Sequence, residues 1–429
     1  MKKSLFFIIA ITTALLFSAC SDDDTYPAGD EPAYGDGNTD PTDDESCKTV
    51  IIYMSAQNSL SGNATNDLYE ISQGAAQLKK GETVVVYLDR NAGTDIYVFD
   101  QTHTQRTPAY TFSSNLDSSD PATMTRMLDW VKQHYPAPDY GLVLWSHADG
   151  WLPPLNTDYQ SDTYQIQPLS FGIDDGVNAF SRDKGTSLSI ENLAEVLEQS
   201  GMKFHYLLFD CCLMQCLEVD YELRNVADYI IASPISINVD GAYYTHQLTH
   251  GLFSDDPVDI ARTYYDDVES GISSTYYMGI VVSAVKTEGL DSLATLTRKL
   301  LADKTLPKWP DMSDVQAYCG YNSFCLYRPD YFDAGGVMSR LLPEAEYALW
   351  LEQLYNCIVY KAGTRSFFAY AHGSYGNFSL SPDFCGVSMF VPQQKYTANA
   401  ALCKYGDHNK TWFLTSWAQD IGYPMPEGE

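Results

Sequence analysis

The sequence predicts an α/β protein, in which a sheet with a parallel core is sandwiched by helices and followed by a further α/β subdomain. Three observations predict it. Short apolar, β-branched runs alternate along the chain with segments of helical spacing. The runs are continuously apolar rather than alternating, as strands covered on both faces are. Two of them end on residues able to do chemistry, and parallel sheets bind ligands beyond the carboxyl ends of their strands.

In chain order, KTVIIYMSA (48–56) reads as the first buried strand. Segment 65–80 is a helix, with Leu68, Ile71, Ala75 and Leu78 on one face. TVVVYLDR (83–90) is a second buried strand, and DIYVFD (95–100) a shorter one. A helix over 121–134 opens on Pro121, whose missing N–H costs nothing in a first turn. YGLVLWSH (140–147) is a third apolar strand, ending on His147. After a loop of mixed composition, 148–186, a helix over 189–200 is stopped by Gly201. FHYLLFD (204–210) runs straight into Cys211 and Cys212. A helix over 213–227 and a strand over 229–233 complete a core of 47–245. Beyond it, helices are expected at 257–269, 288–303 and 343–361, and strands at 275–285, 366–372 and 385–392. These form a C-terminal subdomain, 246–429, packed on the core.

The first twenty residues, MKKSLFFIIAITTALLFSAC, combine a basic start with an apolar stretch too short to span a bilayer comfortably. Their end resembles a lipobox, in which Cys20 is acylated and becomes the mature N-terminus. The run SDDD after it resembles the signal that sends some Gram-negative lipoproteins to the outer face of the outer membrane. Residues 21–46, rich in Asp, Gly, Pro and Thr, read as a disordered acidic tether between lipid and folded domain. The expectation is a surface-exposed outer-membrane lipoprotein, held to the membrane through its N-terminal lipid and monomeric.

With 26 basic against 56 acidic residues, the formal charge is -30. Nucleic acid is excluded as a partner, because phosphate binding needs clustered Lys and Arg. Of ten cysteines, setting Cys20 aside leaves nine, with no CxxC pair. That is neither a small disulfide scaffold nor a zinc ribbon. Cys211, Cys212 and Cys216 with His205 do not make a metal site, since His205 lies inside a strand and no second cluster supplies ligands.

His147 and Cys212 stand at the carboxyl ends of two strands separated by one helical crossover, so their ends meet in one crevice. A thiol needs a base, or a cation that lowers its pKa, to become a good nucleophile. A helix starting just after the cysteine would add the partial positive charge of its N-terminus. Cys211 and Cys216 are assigned to packing.

At these residues the sequence resembles the clostripain family of cysteine peptidases, related in fold to caspases, gingipains and legumains. FDCCLMQCLEVDYELRNVADYIIAS (209–233) carries the pattern around the family's nucleophile, which places the catalytic thiol at Cys212 and the small-residue position at Cys211. LVLWSHADGW (142–151) is similar to the strand that ends in the family's catalytic histidine, here His147. VIIYMSAQNSL (50–60), VVVYLDR (84–90) and segments at 283–302, 390–405 and 412–423 extend the likeness over nearly the whole folded chain.

The resemblance implies a caspase-like cysteine endopeptidase that cleaves peptides or proteins after Arg or Lys. It implies substrate-binding acids at Asp210 and at Asp240. Read by themselves, these residues are equally a strand-end cap for the next helix and a turn residue. It implies an oxyanion hole from the backbone N–H groups of Cys212 and Ala148, where Ala148 replaces the family's usual glycine. Pro234 and Ile235 stand where acidic residues are common. Active members are cut between histidine and cysteine after a basic residue, which here means Arg182 or Lys184. No cofactor is expected; some relatives use calcium, and the acidic loops would permit it, yet nothing resembles an EF-hand. The rival reading is a binding lipoprotein on the same fold that has lost turnover.

Overall fold

The structure is a computed structural model that describes residues 48–152, 170–176, 185–272, 278–302, 304–319, 330–371, 374–396 and 408–424. The described strands are β1 (Lys48–Ala56), β2 (Glu82–Arg90), β3 (Gly93–Phe99), β4 (Tyr110–Thr111), β5 (Tyr140–Trp145), β6 (Phe171–Asp174), β7 (Thr186–Leu188), β8 (Phe204–Asp210), β9 (Ala227–Ala232), β10 (Val281–Lys286), β11 (Ala317–Cys319), β12 (Tyr331–Asp333), β13 (Ile358–Gly363), β14 (Ser366–Ala371), β15 (Ser374–Ser379) and β16 (Ser388–Met389).

Nine of them form one sheet in the order β13-β10-β9-β8-β5-β1-β2-β3-β4. Strands β2, β1, β5, β8 and β9 are mutually parallel, the parallel core that the apolar runs predict. β3, β10 and β13 are antiparallel to the strands they join, and so widen the sheet at both edges. The 246–429 segment supplies β10 and β13 to this sheet and also builds a three-stranded sheet, β11-β12-β16, and the β14-β15 hairpin. Among the described residues, no helix is long and apolar enough to cross a membrane.

The connections fix the layers. The chain passes from β1 outward to β2, then returns across β1 to β5 and onward to β8. Right-handed crossovers in opposite directions put their helices on opposite faces of the sheet. The helix Ser61–Ala75 follows β1 and, with Val258–Glu269, covers the face carrying Ile52, Val86, Val143, Trp145, Tyr206 and Leu208. The helix Pro121–His134 follows the reversed direction; its N-cap is Asp120, whose carboxylate accepts the Ala122 N–H. The direction of the crossovers therefore reverses between β1 and β5, and the crevice for ligands opens there.

Expected elements differ in several places: the strand expected over 385–392 is only Ser388–Met389, and that expected over 275–285 begins at Val281. The helix expected over 213–227 is only Leu217–Glu222. Residues 213–216 form no helix, because the Leu213 N–H donates to the Ile235 carbonyl and the Gln215 N–H to that of Ser233. On their other side, the Ser388 N–H donates to the Gln215 carbonyl. The helix expected over 343–361 stops at Cys357, and its last part becomes β13, since IVYKAG finds β10 as a partner. The loop 148–186 contains β6, which pairs with β7.

The short helix Leu217–Glu222 carries a buried carboxylate. Glu218 Oε1 accepts from the Phe390 N–H at 2.9 Å and the Trp412 Nε1–H at 2.7 Å. Burial outweighs these donors and pushes its pKa up to about 7. A carboxyl whose folded pKa lies above its unfolded value binds extra protons when folded, so stability falls as pH rises from about 4.5 through 7. Glu218→Gln keeps the acceptor oxygen and removes the titration. Thermal melts from pH 4.5 to 8 should show a shallower decline in the variant than in the wild type. Parallel curves would discard the assignment.

Candidate active site

β5 and β8 are hydrogen-bonded neighbours whose register ends with Trp145 opposite Asp210. His147 and Cys212 each lie two residues beyond that pair, in the loops that leave the ends of these neighbouring strands.

The histidine side is tied down by β6. The Gly172 N–H donates to the His147 carbonyl at 3.0 Å, and Ala148 forms an isolated antiparallel bridge with Phe171. The His147 ring is half-buried, and its Nε2 lies 2.9 Å from the Ser59 hydroxyl. Trp151 is buried against Phe390, with ring centroids 5.2 Å apart. Gly150 has φ +66°, and a Cβ there would stand 2.9 Å from the Leu213 carbonyl oxygen and 2.9 Å from Tyr331 Oη. The two catalytic loops therefore touch backbone to backbone, which only glycine permits.

The cysteine side separates three thiols by burial. Cys211 is buried with Sγ 3.7 Å from the Leu144 carbonyl, and burial pushes its pKa well up. Cys216 is fully buried and likewise pushed up. Cys212 is half-exposed, with Sγ 3.9 Å from the Ile237 carbonyl. The other described cysteines, Cys319, Cys357 and Cys385, are buried. Among the described residues, Cys212 is thus the thiol open to a substrate.

The residue after it, Leu213, has φ 65°, and among the described residues it is the non-glycine residue with positive φ. Such strain on an L-residue persists only where the surroundings impose it, and it collects at functional sites. Ala148 has no positive φ, so alanine at the family's glycine position carries no backbone strain there. The helix dipole expected beneath the cysteine is absent from this position. The helix begins five positions later at Leu217, and its first turn holds Glu218 and Asp220.

Asp210 is buried. Its carboxylate accepts from the Ala242 N–H at 3.1 Å, the Tyr244 hydroxyl at 2.9 Å and the Tyr264 hydroxyl at 3.0 Å. Burial raises its pKa, against the pull of those donors. Gly241, at φ +57°, lies directly over it, since a Cβ there would be 2.7 Å from Oδ2. Asp210 therefore holds down the turn that presents Asp240, which is half-exposed. It caps no helix.

Two acids that sequence reasoning missed join this region from the helix Ser61–Ala75. Asp67 accepts from the Trp145 Nε1–H at 2.8 Å and is pushed well up, chiefly by burial and then by Asp210 and Glu70. Glu70 accepts the Tyr244 N–H at 3.0 Å and is pushed to about 7, chiefly by burial, with Asp210 and Asp240 also raising it. No signal in the helix sequence marks them, because their neighbours come from β5, β8 and the 240–244 turn. Cys20, Arg182 and Lys184 lie outside the described residues.

The family model that matches this chain is that of the clostripain family, over residues 52–422. Among solved structures, the chain is similar to a secreted C11 cysteine protease from Bacteroides thetaiotaomicron in complex with an irreversible peptide inhibitor. The identity is 26% and the TM-score 0.72, covering 89% of this chain and 100% of that one. It is also similar to an inactive zymogen C11 protease from Parabacteroides distasonis, at 28% identity and TM-score 0.69, covering 88% of this chain and 98% of that one. No curated protein matches the chain. Fold and family together define a cysteine-type peptidase. The chain belongs to the clostripain family.

Proposed function

We propose that the protein is an endopeptidase that cleaves after Arg or Lys through a dyad of His147 and Cys212. The observation that carries this reading is the exposure of Cys212, alone among the thiols of its trio, two residues past the end of β8, with His147 two residues past the paired end of the neighbouring parallel strand β5. His147 takes the thiol proton, and the Cys212 sulfur attacks the carbonyl carbon after Arg or Lys. The oxyanion is held by the backbone N–H groups of Cys212 and Ala148. As the tetrahedral species collapses, His147 passes its proton to the leaving amine. Water, deprotonated by His147, then hydrolyses the thioester and restores the thiol. Asp240 supplies the carboxylate for the guanidinium or ammonium group, with Asp210 beneath it holding the turn in place.

We further propose that Cys20 is acylated, that the acidic 21–46 tether carries the enzyme at the outer face of the outer membrane, and that the chain cuts itself after Arg182 or Lys184. The likeness to an inactive zymogen supports the last of these. One measurement addresses them together. Mass spectrometry of the protein purified from its host should find a lipid on Cys20 and a cut after Arg182 or Lys184; in Cys212→Ala the lipid should remain and the cut vanish. An unmodified Cys20 would discard the anchor, and a cut that persists in Cys212→Ala would discard self-processing.

A further inference from the structure

We infer that Ser59 is a positioning residue for His147, fixing the tautomer and orientation of the imidazole through its Nε2. The inference rests on the dyad reading above and adds a third residue to it. Ser59 follows the carboxyl end of β1, and His147 that of β5. These are the strands between which the crossover direction reverses, so both residues rim the crevice. Their register pairs Met54 with Trp145, which sets Ala56 level with His147. The Ser59 hydroxyl reaches Nε2 at 2.9 Å.

The turn bearing Ser59 is built to hold it there. Asn58 is fully buried; its Nδ2 donates to the Ser55 carbonyl and the Ile173 carbonyl, each at 2.9 Å, and its Oδ1 accepts the Leu60 N–H at 2.9 Å. The Ser55 carbonyl also accepts from the Ser146 hydroxyl at 2.6 Å, immediately before His147. The Asp175 N–H donates to the Gln57 carbonyl at 2.9 Å. Three segments, 55–60, 146–147 and 171–175, thus hang on one network, and the histidine and the serine are fixed to the same frame. Ser59 itself is exposed, so its hydroxyl is not there for packing.

We assign the Ser59 oxygen as the acceptor of Nε2–H, which leaves the basic lone pair on Nδ1 to serve Cys212. The same oxygen still accepts when the ring is an imidazolium, and so favours the charged form that forms as the thiol loses its proton. The titratable groups on the elements around the ring are Cys211 and Cys212 after β8, Asp149 on the histidine's own loop, Asp174 and Asp175 at the end of β6, Tyr331 of β12, and Asp67 and Glu70 on the helix after β1. None is on the 55–60 turn, whose contribution is the hydroxyl alone.

The test compares Ser59→Ala, Ser59→Thr and His147→Ala with the wild type on a fluorogenic peptide ending in Arg, across pH. Ser59→Ala should lower kcat about tenfold, roughly one charge-assisted hydrogen bond, with KM unchanged. Its acid limb should move to lower pH, because the imidazolium has lost an acceptor and His147 reaches its basic form sooner. Ser59→Thr should restore both, and the melting temperature of all three should stay at the wild-type value. A wild-type pH profile in Ser59→Ala, with His147→Ala inactive, would overturn the role of Ser59 and leave the dyad standing. Ser59→Thr as slow as Ser59→Ala would also overturn it. Full turnover in His147→Ala would overturn the dyad and this inference with it.

Discussion

Cys212→Ala should lower kcat/KM on peptides ending in Arg or Lys by about 10⁴-fold or more while leaving the melting temperature where it was. The size follows from the chemistry: without the sulfur there is no acyl-enzyme, and what remains is binding and the oxyanion donors. The unchanged stability follows from the structure. Cys212 is half-exposed, and its thiol lies a long 3.9 Å from the Ile237 carbonyl. Cys211→Ala, one residue away, should do the reverse. It empties a fully enclosed position, costs stability, and leaves residual turnover in whatever fraction stays folded. Peptides ending in Arg, Lys, Asp and Leu, tried with the wild type and both variants, decide the matter. Turnover that survives in Cys212→Ala would remove it as the nucleophile. Cleavage after Asp or Leu alone would keep the peptidase and discard the acidic pocket.

Asp240→Asn should reduce cleavage after Arg or Lys by about 10²-fold with an unaltered melting temperature, because a half-exposed carboxylate that meets a substrate cation contributes a charged hydrogen bond and little to folding. Asp210→Ala should lose both activity and stability. It orphans the Ala242 N–H and the hydroxyls of Tyr244 and Tyr264, all buried, at about 1–3 kcal/mol for each donor that finds no other partner. The discriminating quantities are kcat/KM and the midpoint of thermal or urea unfolding, measured on the same samples. If Asp210→Ala weakened only cleavage after basic residues and unfolded like the wild type, Asp210 would be the substrate contact and the turn would not depend on it.

Much of this was legible in the residues. The strands 48–56, 83–90, 140–147 and 204–210 are written in continuous Val, Ile, Leu and Tyr, and the structure holds β1, β2, β5 and β8 within a residue or two of those bounds. The helix 121–134 is matched end to end, since Asp120 and Pro121 are a cap and a first-turn residue whatever surrounds them. Segments read less well where a distant partner competed with local preference. Leu213 to Cys216 have helical composition but form no helix, because the Ser233 and Ile235 carbonyls and the Ser388 N–H take their hydrogen bonds. Residues 358–363 continue a helical pattern and become β13, because β10 offers an open edge.

The same division runs through the site. The sequence by itself determined the sheet, the strand ends and the two residues at them, because burial and strand propensity act over a few neighbours at a time. Only the tertiary structure decided that Asp210 lies beneath the 240–244 turn, that Cys212 alone of its trio faces outward, and that Ser59, Asp67 and Glu70 join the crevice. Those are contacts between segments far apart in the chain, and no spacing along a single strand or helix records which side chains long-range packing will bring together.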